Sequence, residues 1–396
     1  MSREEGVVRR LPEVSRPPRM VDLEAEADLR RCGALKEFWY VACLSSELPA
    51  GKPLARTIFG TPLVLFRDAA GVPSALFDRC LHRNAPLSGG VVLGGNLACA
   101  YHGWTYDRTG TCVHVPSLGP AQAGARLSDA DLSEAGLCRL PCDAGRVRSF
   151  PVIEQDGLVF VYPGEGAPAR RPPFRVPFHG DESWCVYFMV TRFENGVTPL
   201  VENFMDVPHT SFVHRGWFRK PEQREVPATV RREDGAVHVT YREKKDALTG
   251  LGRLFNPKGL EMTHTDRFFI PNVTRVDYRF GEVGFAICSQ CTPAGPTESW
   301  VYTAISFRLP WDLPRAAVAK ALRPIVEWYT RRVIQQDVEI MELQRRGLVG
   351  APGGGDFRGT EADLLHSDIE AYRGWLREGG QGSGPPDMER EITFWV

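Results

Sequence analysis

The sequence predicts an α+β chain in two parts: an all-β N-terminal domain, then an α+β domain built on an antiparallel sheet. Three observations carry this expectation. Short β-rich runs crowd residues 38–77, punctuated by glycine and aspartate. A Pro- and Gly-rich stretch over 164–182 separates this N-terminal part from the second half of the chain. Beyond it, strand-like segments at hairpin spacing give way to a long helical pattern over 315–346. A chain of 396 residues has room for two such cores.

Residues 1–35 read as an N-terminal arm, Arg- and Pro-rich to residue 20, followed by a short helix over Val21–Cys32 that Gly33 stops. The first domain spans 36–165. Its strands are expected at Phe38–Ala42, Thr57–Phe59, Pro62–Phe66, Ser74–Phe77 and Leu158–Tyr162, with a looping insert over Ser117–Leu137 and a helical turn at Ser128–Ala135. The second domain spans 183–378. It opens with a strand at Trp184–Phe193 and a helix at Pro199–Asp206. Strands come next within 228–242, 267–291 and 298–309, then a helix over Arg315–Arg346 with a kink expected at Pro324. A last helix over Thr360–Leu376 places Leu364, Leu365, Ile369, Tyr372 and Leu376 at helical spacing. Residues 379–396 read as a C-terminal tail, opening with a Gly/Pro-rich linker over 379–386.

Composition excludes several classes. A net charge of −1 gives no field for nucleic acid or a membrane surface. No apolar run approaches the ~20 residues that span a bilayer, and the first residues lack the apolar core of a signal peptide, so a cytoplasmic location is expected. Ten cysteines in this length do not make a disulfide scaffold. Cys32, Cys43, Cys112, Cys138, Cys142, Cys185, Cys288 and Cys291 read as reduced thiols, and the lone Cys288-x-x-Cys291 as structural. No G-x-G-x-x-G follows a strand, so no nicotinamide or flavin site is visible, and the Gly-rich 347–359 lacks the Lys-Ser/Thr of a phosphate loop.

The chemistry-bearing residues fall in two groups. Cys80-Leu81-His82 and Cys99-Ala100-Tyr101-His102 each join one thiolate and one imidazole in a tight loop. Such a set fits a tetrahedral zinc site or a Rieske [2Fe-2S] cluster. Zinc fingers pair Cys with Cys and His with His, whereas here each loop supplies one of each, which suits a cluster whose two irons take different ligands. Four scattered buried residues is the bland reading. The second group is Asn203, Asp206, His209 and His214. Five residues apart, His209 and His214 would diverge by about 140° on a regular helix, so both reach one metal only if the helix breaks between them, and Pro208 supplies the break. Two such histidines alone are more often ordinary surface or core residues. A carboxylate could complete a two-His, one-carboxylate set. Asp337 stands out, because its neighbours at helical spacing, Val333, Ile334, Ile340 and Met341, are apolar. Pairing of Asp337 with an arginine is the plain alternative. Glu339 and Glu342 sit on a solvated face with Gln335 and Gln336, and His114, His179, His238, His264 and His366 read as ordinary.

Cys80–Ser88 with Cys99–Trp104 resembles the Rieske domain of Rieske-type non-heme iron oxygenases, nearest to α subunits that work without a β subunit, such as the vanillate O-demethylase, toluenesulfonate monooxygenase and pheophorbide a oxygenase group. Respiratory Rieske proteins carry an extra cysteine in each loop, where this chain has Ala85 and Tyr101. Asn203-x-x-Asp206-x-x-His209-x-x-x-x-His214 and the later Asp337, Glu342 and Gln344 are similar to the same family's iron motifs. The resemblance implies a cluster held by Cys80, His82, Cys99 and His102, and a mononuclear Fe(II) held by His209, His214 and Asp337. It implies that Asp206 links His102 of a neighbouring subunit to His209 in a head-to-tail homotrimer, with Asn203 close to the iron. It further implies an α+β catalytic domain with an antiparallel helix-grip-type sheet. O2 would be the co-substrate, with NAD(P)H electrons delivered by a flavin/ferredoxin-type reductase. A small aromatic or polycyclic molecule would be hydroxylated, demethylated or oxidatively cyclised. The alternatives are a Rieske electron-transfer protein without oxygenase activity and a zinc-stabilised binding module.

Overall fold

The computed structural model describes residues 34–119, 145–168, 172–217, 224–243, 255–310, 315–350, 358–360, 363, 365–378 and 384–395, except for the side chains of 315–320, 348–350 and 377. The arm, the helix expected over Val21–Cys32, the turn at Ser128–Ala135, Cys32, Cys138, Cys142, most of 347–359 and residues 379–383 lie outside them.

The first domain is all β. Tyr40–Leu44, Leu158–Val161 and Val152–Gln155 form a three-stranded antiparallel sheet. Leu54–Ile58, Thr61–Arg67, Pro73–Phe77 and Ser149–Phe150 form a four-stranded one. A second four-stranded sheet, made of Val91–Leu93, Asn96–Ala98, Thr105–Tyr106 and Cys112–His114, carries the cluster loops. Those loops enclose their own small core around Val64, Phe66, Leu76, Leu97 and Tyr106.

The second domain rests on one eight-stranded antiparallel sheet. Its strands are β1 (Cys185–Phe193), β2 (Glu225–Glu233), β3 (Ala236–Tyr241), β4 (Thr263–Phe269), β5 (Val273–Phe280), β6 (Val283–Gly295), β7 (Glu298–Arg308) and β8 (Met388–Trp395), in the order β1-β7-β6-β5-β4-β3-β2-β8. Three helices accompany it: α1 (Val197–Met205), α2 (Arg315–Gly350, with Pro324 inside) and α3 (His366–Arg377). Strand alternation assigns the two faces. Tyr302 donates from one face of β7 to the Ala42 carbonyl at 2.6 Å, and Thr292 from β6 to Val41 at 2.8 Å, so the first domain packs on that face. The opposite face, through Thr303, Ile305 and Phe307, lines a cavity closed by Val326, Thr330, Val333, Ile334 and Asp337 along one side of α2.

Two expectations change. The helix expected from Thr360 begins at His366, and Thr360 places its backbone N–H (2.5 Å) and hydroxyl (3.1 Å) on the Asp363 carboxylate. The segment 379–396, read as a tail, ends in a strand: Met388–Trp395 pairs with β2 from Arg232↔Met388 to Glu225↔Trp395. Arg231–Glu389 at 2.9 Å and Arg242–Glu391 fix its register with opposite charges across the edge. Cys288 and Cys291 both lie in β6 as buried free thiols, pushed up to about 12 by burial, in agreement with a structural role.

Candidate cluster and metal sites

The two Cys–His loops are built alike. In the first, the Cys80 N–H donates to the Ala85 carbonyl at 2.9 Å and the Asn84 N–H to the Cys80 carbonyl at 3.0 Å. In the second, the Cys99 N–H donates to Trp104 at 2.8 Å and the Gly103 N–H to Cys99 at 3.0 Å. Each turn needs one left-handed residue, Asn84 (φ 59°) and Gly103 (φ 71°). At Gly103 a Cβ would also meet the Pro116 ring at 2.8 Å, so the position takes no side chain.

Cys80 and Cys99 are buried, whereas His102 is exposed. The rings of His82 and His102 stand 4.5 Å apart, and Trp104 stacks on His82 at 4.8 Å. The His82 Nδ1 is buried without a hydrogen-bond partner, a costly state for an imidazole unless it ligates something. Burial, with Cys80 beside it, pushes the Cys99 thiol up, so its thiolate needs a cation to form. Tyr106 lies at 3.2 Å from the Cys80 Sγ and accepts the Leu81 N–H at 3.1 Å, which leaves its own proton for the sulfur. A tetrahedral zinc ion with bonds of about 2.0–2.3 Å draws its donors to within roughly 4 Å of one another. Among the described residues, three donors that close occur at His209, His214 and Asp337, and not at the Cys–His loops. The loops therefore fit a wider, two-iron cluster better than a single ion.

The second site depends on a helix that stops. α1 ends at Met205, and Pro208, lacking an N–H, starts a short 3-10 turn over Pro208–Ser211. The chain bends between His209 and His214 and brings their Nε2 atoms to 3.3 Å. Asp337 reaches in from α2, its Oδ1 3.5 Å from His209 Nε2 and 3.2 Å from His214 Nε2. All three ligand atoms lie within 4.8 Å of one another.

The remaining ring nitrogens set the tautomers. His209 Nδ1–H donates to the Asp206 carbonyl, and His214 Nδ1–H donates to Gln336 Oε1 at 3.0 Å. Both Nε2 lone pairs are thereby turned on the Asp337 carboxylate, and a proton or a metal cation has to sit among the three acceptors. Burial opposes ionisation of Asp337, but the two imidazoles overcome it and hold the carboxyl at about 2. Burial also works against a charged His209, yet Asp337 and Asp206 raise it. Asn203 Nδ2 donates to Asp337 Oδ1 at 3.2 Å and so orients it.

Placed against expectation, His209, His214, Asp337 and Asn203 come together. Asp206 does so differently: its backbone carbonyl holds His209, while its carboxylate stays 3.8 Å from the ring and 39% exposed. Ile340, expected on the buried side of α2, is exposed, although Met341 is buried. Gln336 belongs by periodicity to the solvated face, but its long side chain reaches His214. His264, read as ordinary, is wholly buried and lines the same cavity, of about 150 Å³, as Asp266 and the His–His–Asp group. Its signal is the run Thr263-His264-Thr265-Asp266, two ionisable residues on one face of a strand.

The family model for the Rieske [2Fe-2S] domain matches residues 38–151, and that for the vanillate O-demethylase oxygenase C-terminal domain matches residues 197–374. The chain is 40% identical over 184 residues to the oxygenase component of dicamba O-demethylase from Stenotrophomonas maltophilia, covering 46% of this chain and 48% of the relative. It is 31% identical over 241 residues to 4beta-methylsterol monooxygenase from Methylococcus capsulatus, covering 60% of each. The match thus spans about half the length of these curated relatives. Among solved structures, dicamba monooxygenase bound to 3,6 dichlorosalicylic acid is similar at a TM-score of 0.68 and 25% identity, over 87% of this chain and 98% of that one.

Proposed function

This chain belongs to the Rieske-type non-heme iron oxygenases, and from that premise we propose that it is the terminal oxygenase component of a multicomponent monooxygenase. The observation that carries the reading is the convergence of His209, His214 and Asp337 on the wall of an apolar cavity, in a chain that also carries the paired Cys–His loops. A pure electron carrier has no use for the cavity or for that triad.

In this reading Cys80, His82, Cys99 and His102 hold a [2Fe-2S] cluster, and His209, His214 and Asp337 hold a mononuclear Fe(II). When bound, these groups supply single electrons and the activation of O2. The chain's own residues do the rest. Asp206, through its carbonyl, and Gln336 fix the two imidazoles with Nε2 toward the site, and Asn203 fixes the carboxylate. Phe193, Phe204 and Ile334 line the same cavity with apolar surface that excludes water. The partly exposed Asp206 carboxylate is available to His102 of a neighbouring copy in a head-to-tail homotrimer. NAD(P)H electrons arrive from a flavin/ferredoxin-type reductase. The substrate is a small aromatic or polycyclic molecule that is hydroxylated, demethylated or oxidatively cyclised. A cytoplasmic location is part of the proposal, and no described helix is long and apolar enough to cross a membrane.

The test is metal analysis with a visible spectrum, then O2-consumption screening with a surrogate reductase. Iron beyond a two-iron cluster, with reddish-brown absorption, is expected. A colourless protein loaded with zinc refutes the reading.

Two smaller effects concern residues beside the ligands. Asn203→Leu removes the bond that orients Asp337, and iron affinity is expected to fall about 10–100-fold, the usual cost of losing a partner of a metal ligand. Equilibrium dialysis measures it. Tyr106→Phe removes a donor to the Cys80 sulfur. That donor favours the more electron-rich reduced state, so the cluster's midpoint potential is expected to drop by about 30–60 mV. Redox titration reads the shift, and an unchanged potential contradicts the assigned hydrogen bond.

A further inference from the structure

His264 sits at the centre of a row that crosses three strands, Tyr241↔His264↔Tyr278. Its ring lies between the two phenols, with centroids 4.4 and 4.1 Å away. Both ring nitrogens are engaged: Nδ1 with Glu243 Oε1 at 2.5 Å and Nε2 with Asp266 Oδ1 at 3.0 Å. Arg224 pairs with the other oxygen of Glu243 at 3.1 Å, and Tyr241 donates to Asp266 Oδ2 at 3.1 Å.

Arg224 and a doubly donating His264 balance the charges of Glu243 and Asp266, so the cluster acts on a ligand through its hydrogen-bonding pattern. Glu243 and Arg224 do not line the cavity, but His264, Tyr278 and Asp266 do. With both nitrogens committed to carboxylates, His264 has no N–H left to offer a ligand. Asp266 has given up one lone pair on each oxygen, and a carboxylate offers about four acceptor sites. What the cluster presents to the cavity is acceptor capacity. Other polar groups on the same sheet face include Thr191, Thr274, Ser289 and Thr303, all uncharged hydroxyls, and Ser289 and Thr303 bond each other at 3.1 Å. No lysine or arginine occurs among the described lining residues, and of the lining carboxylates Asp337 is committed to the metal site.

We propose that Asp266, held by His264 and Tyr241, determines specificity by anchoring a hydrogen-bond donor on an uncharged, otherwise apolar ring substrate, a hydroxyl or an N–H, and by turning away ring carboxylates. The inference rests on the proposed function in taking the cavity as the substrate's, and it names the substrate class. A donor group gives the acceptor a partner, whereas a carboxylate would lose its water against acceptor lone pairs with no proton to share.

The experiment is calorimetric binding to the purified holoenzyme, without reductase, of three probes that share one ring system: a naphthol, its methyl ether and the matching naphthoate. The naphthol is expected to bind at least tenfold more tightly than either of the others. In Asp266→Asn the naphthol-to-naphthoate ratio is expected to shrink about tenfold. The comparison in the parent protein needs no variant to fold. Equal affinity for naphthol and naphthoate, or no binding of any probe at millimolar concentration, overturns the proposal. Binding is read without turnover. The expected order in a protein that proves inactive would sink the proposed function alone, and an active oxygenase that prefers naphthoate would sink this inference alone.

Discussion

Asp337→Ala is expected to abolish turnover, by on the order of a thousandfold or more, while the visible absorption of the cluster is retained. Loss of a residue that merely orients a ligand costs about 10–100-fold, and Asp337 is itself one of the three converging donors. It is also the only carboxylate among them. Without it, two imidazoles 3.3 Å apart face each other with no anion to balance a divalent cation. The Asn203 amide loses its acceptor in the same change. The cluster loops have a core of their own, so they are untouched. Iron per chain should fall by the one mononuclear ion, and product formation with it. Turnover within tenfold of the parent would exclude Asp337 as a ligand.

Asp206→Ala is expected to lower turnover by at least about a hundredfold with both metals still bound. The separation comes from which Asp206 atom does what. Its backbone carbonyl accepts the His209 Nδ1–H, and alanine has that carbonyl too. Its carboxylate, 3.8 Å from the ring, contributes little to holding His209 within one chain. Its proposed task lies across the subunit boundary, in the hydrogen bond to a neighbour's His102. Stopped-flow reduction of the cluster should proceed normally in the variant, while its reoxidation by substrate and O2 stalls. Loss of iron in the variant would instead assign the carboxylate to the metal site.

The parts of the site that were legible in the sequence are those whose signal is local. Each Cys–His pair lies within one tight turn, so spacing alone joins Cys80 to His82 and Cys99 to His102. Pro208 announced the break that lets His209 and His214 converge, and apolar neighbours marked Asp337. The illegible parts depend on contacts far along the chain. The polar alternation of Met388–Trp395 resembles a solvated tail until β2, more than 150 residues earlier, supplies its partner. Gln336 sits on a face that periodicity gives to solvent, and only the approach of His214 gives its side chain a use. His264 and Asp266 were hidden for a related reason. Alternation shows that they share a face of β4, but only the curl of the sheet over α2 makes that face a cavity.

The position of the first domain, against the outer face of the sheet, bears on how the rate depends on protein concentration. Within one chain the sheet stands between that domain and the cavity, since Tyr302 and Thr292 face one and Thr303 and Ile305 the other. Under the proposed head-to-tail assembly, a lone chain is an open circuit. Activity per chain should fall on serial dilution through the dissociation range of the assembly, with a kinetic order in protein above one, while iron content and absorbance per chain stay constant. Added excess of a cluster-intact Asp337→Ala chain should restore part of the lost rate by donating its His102 to an intact neighbour.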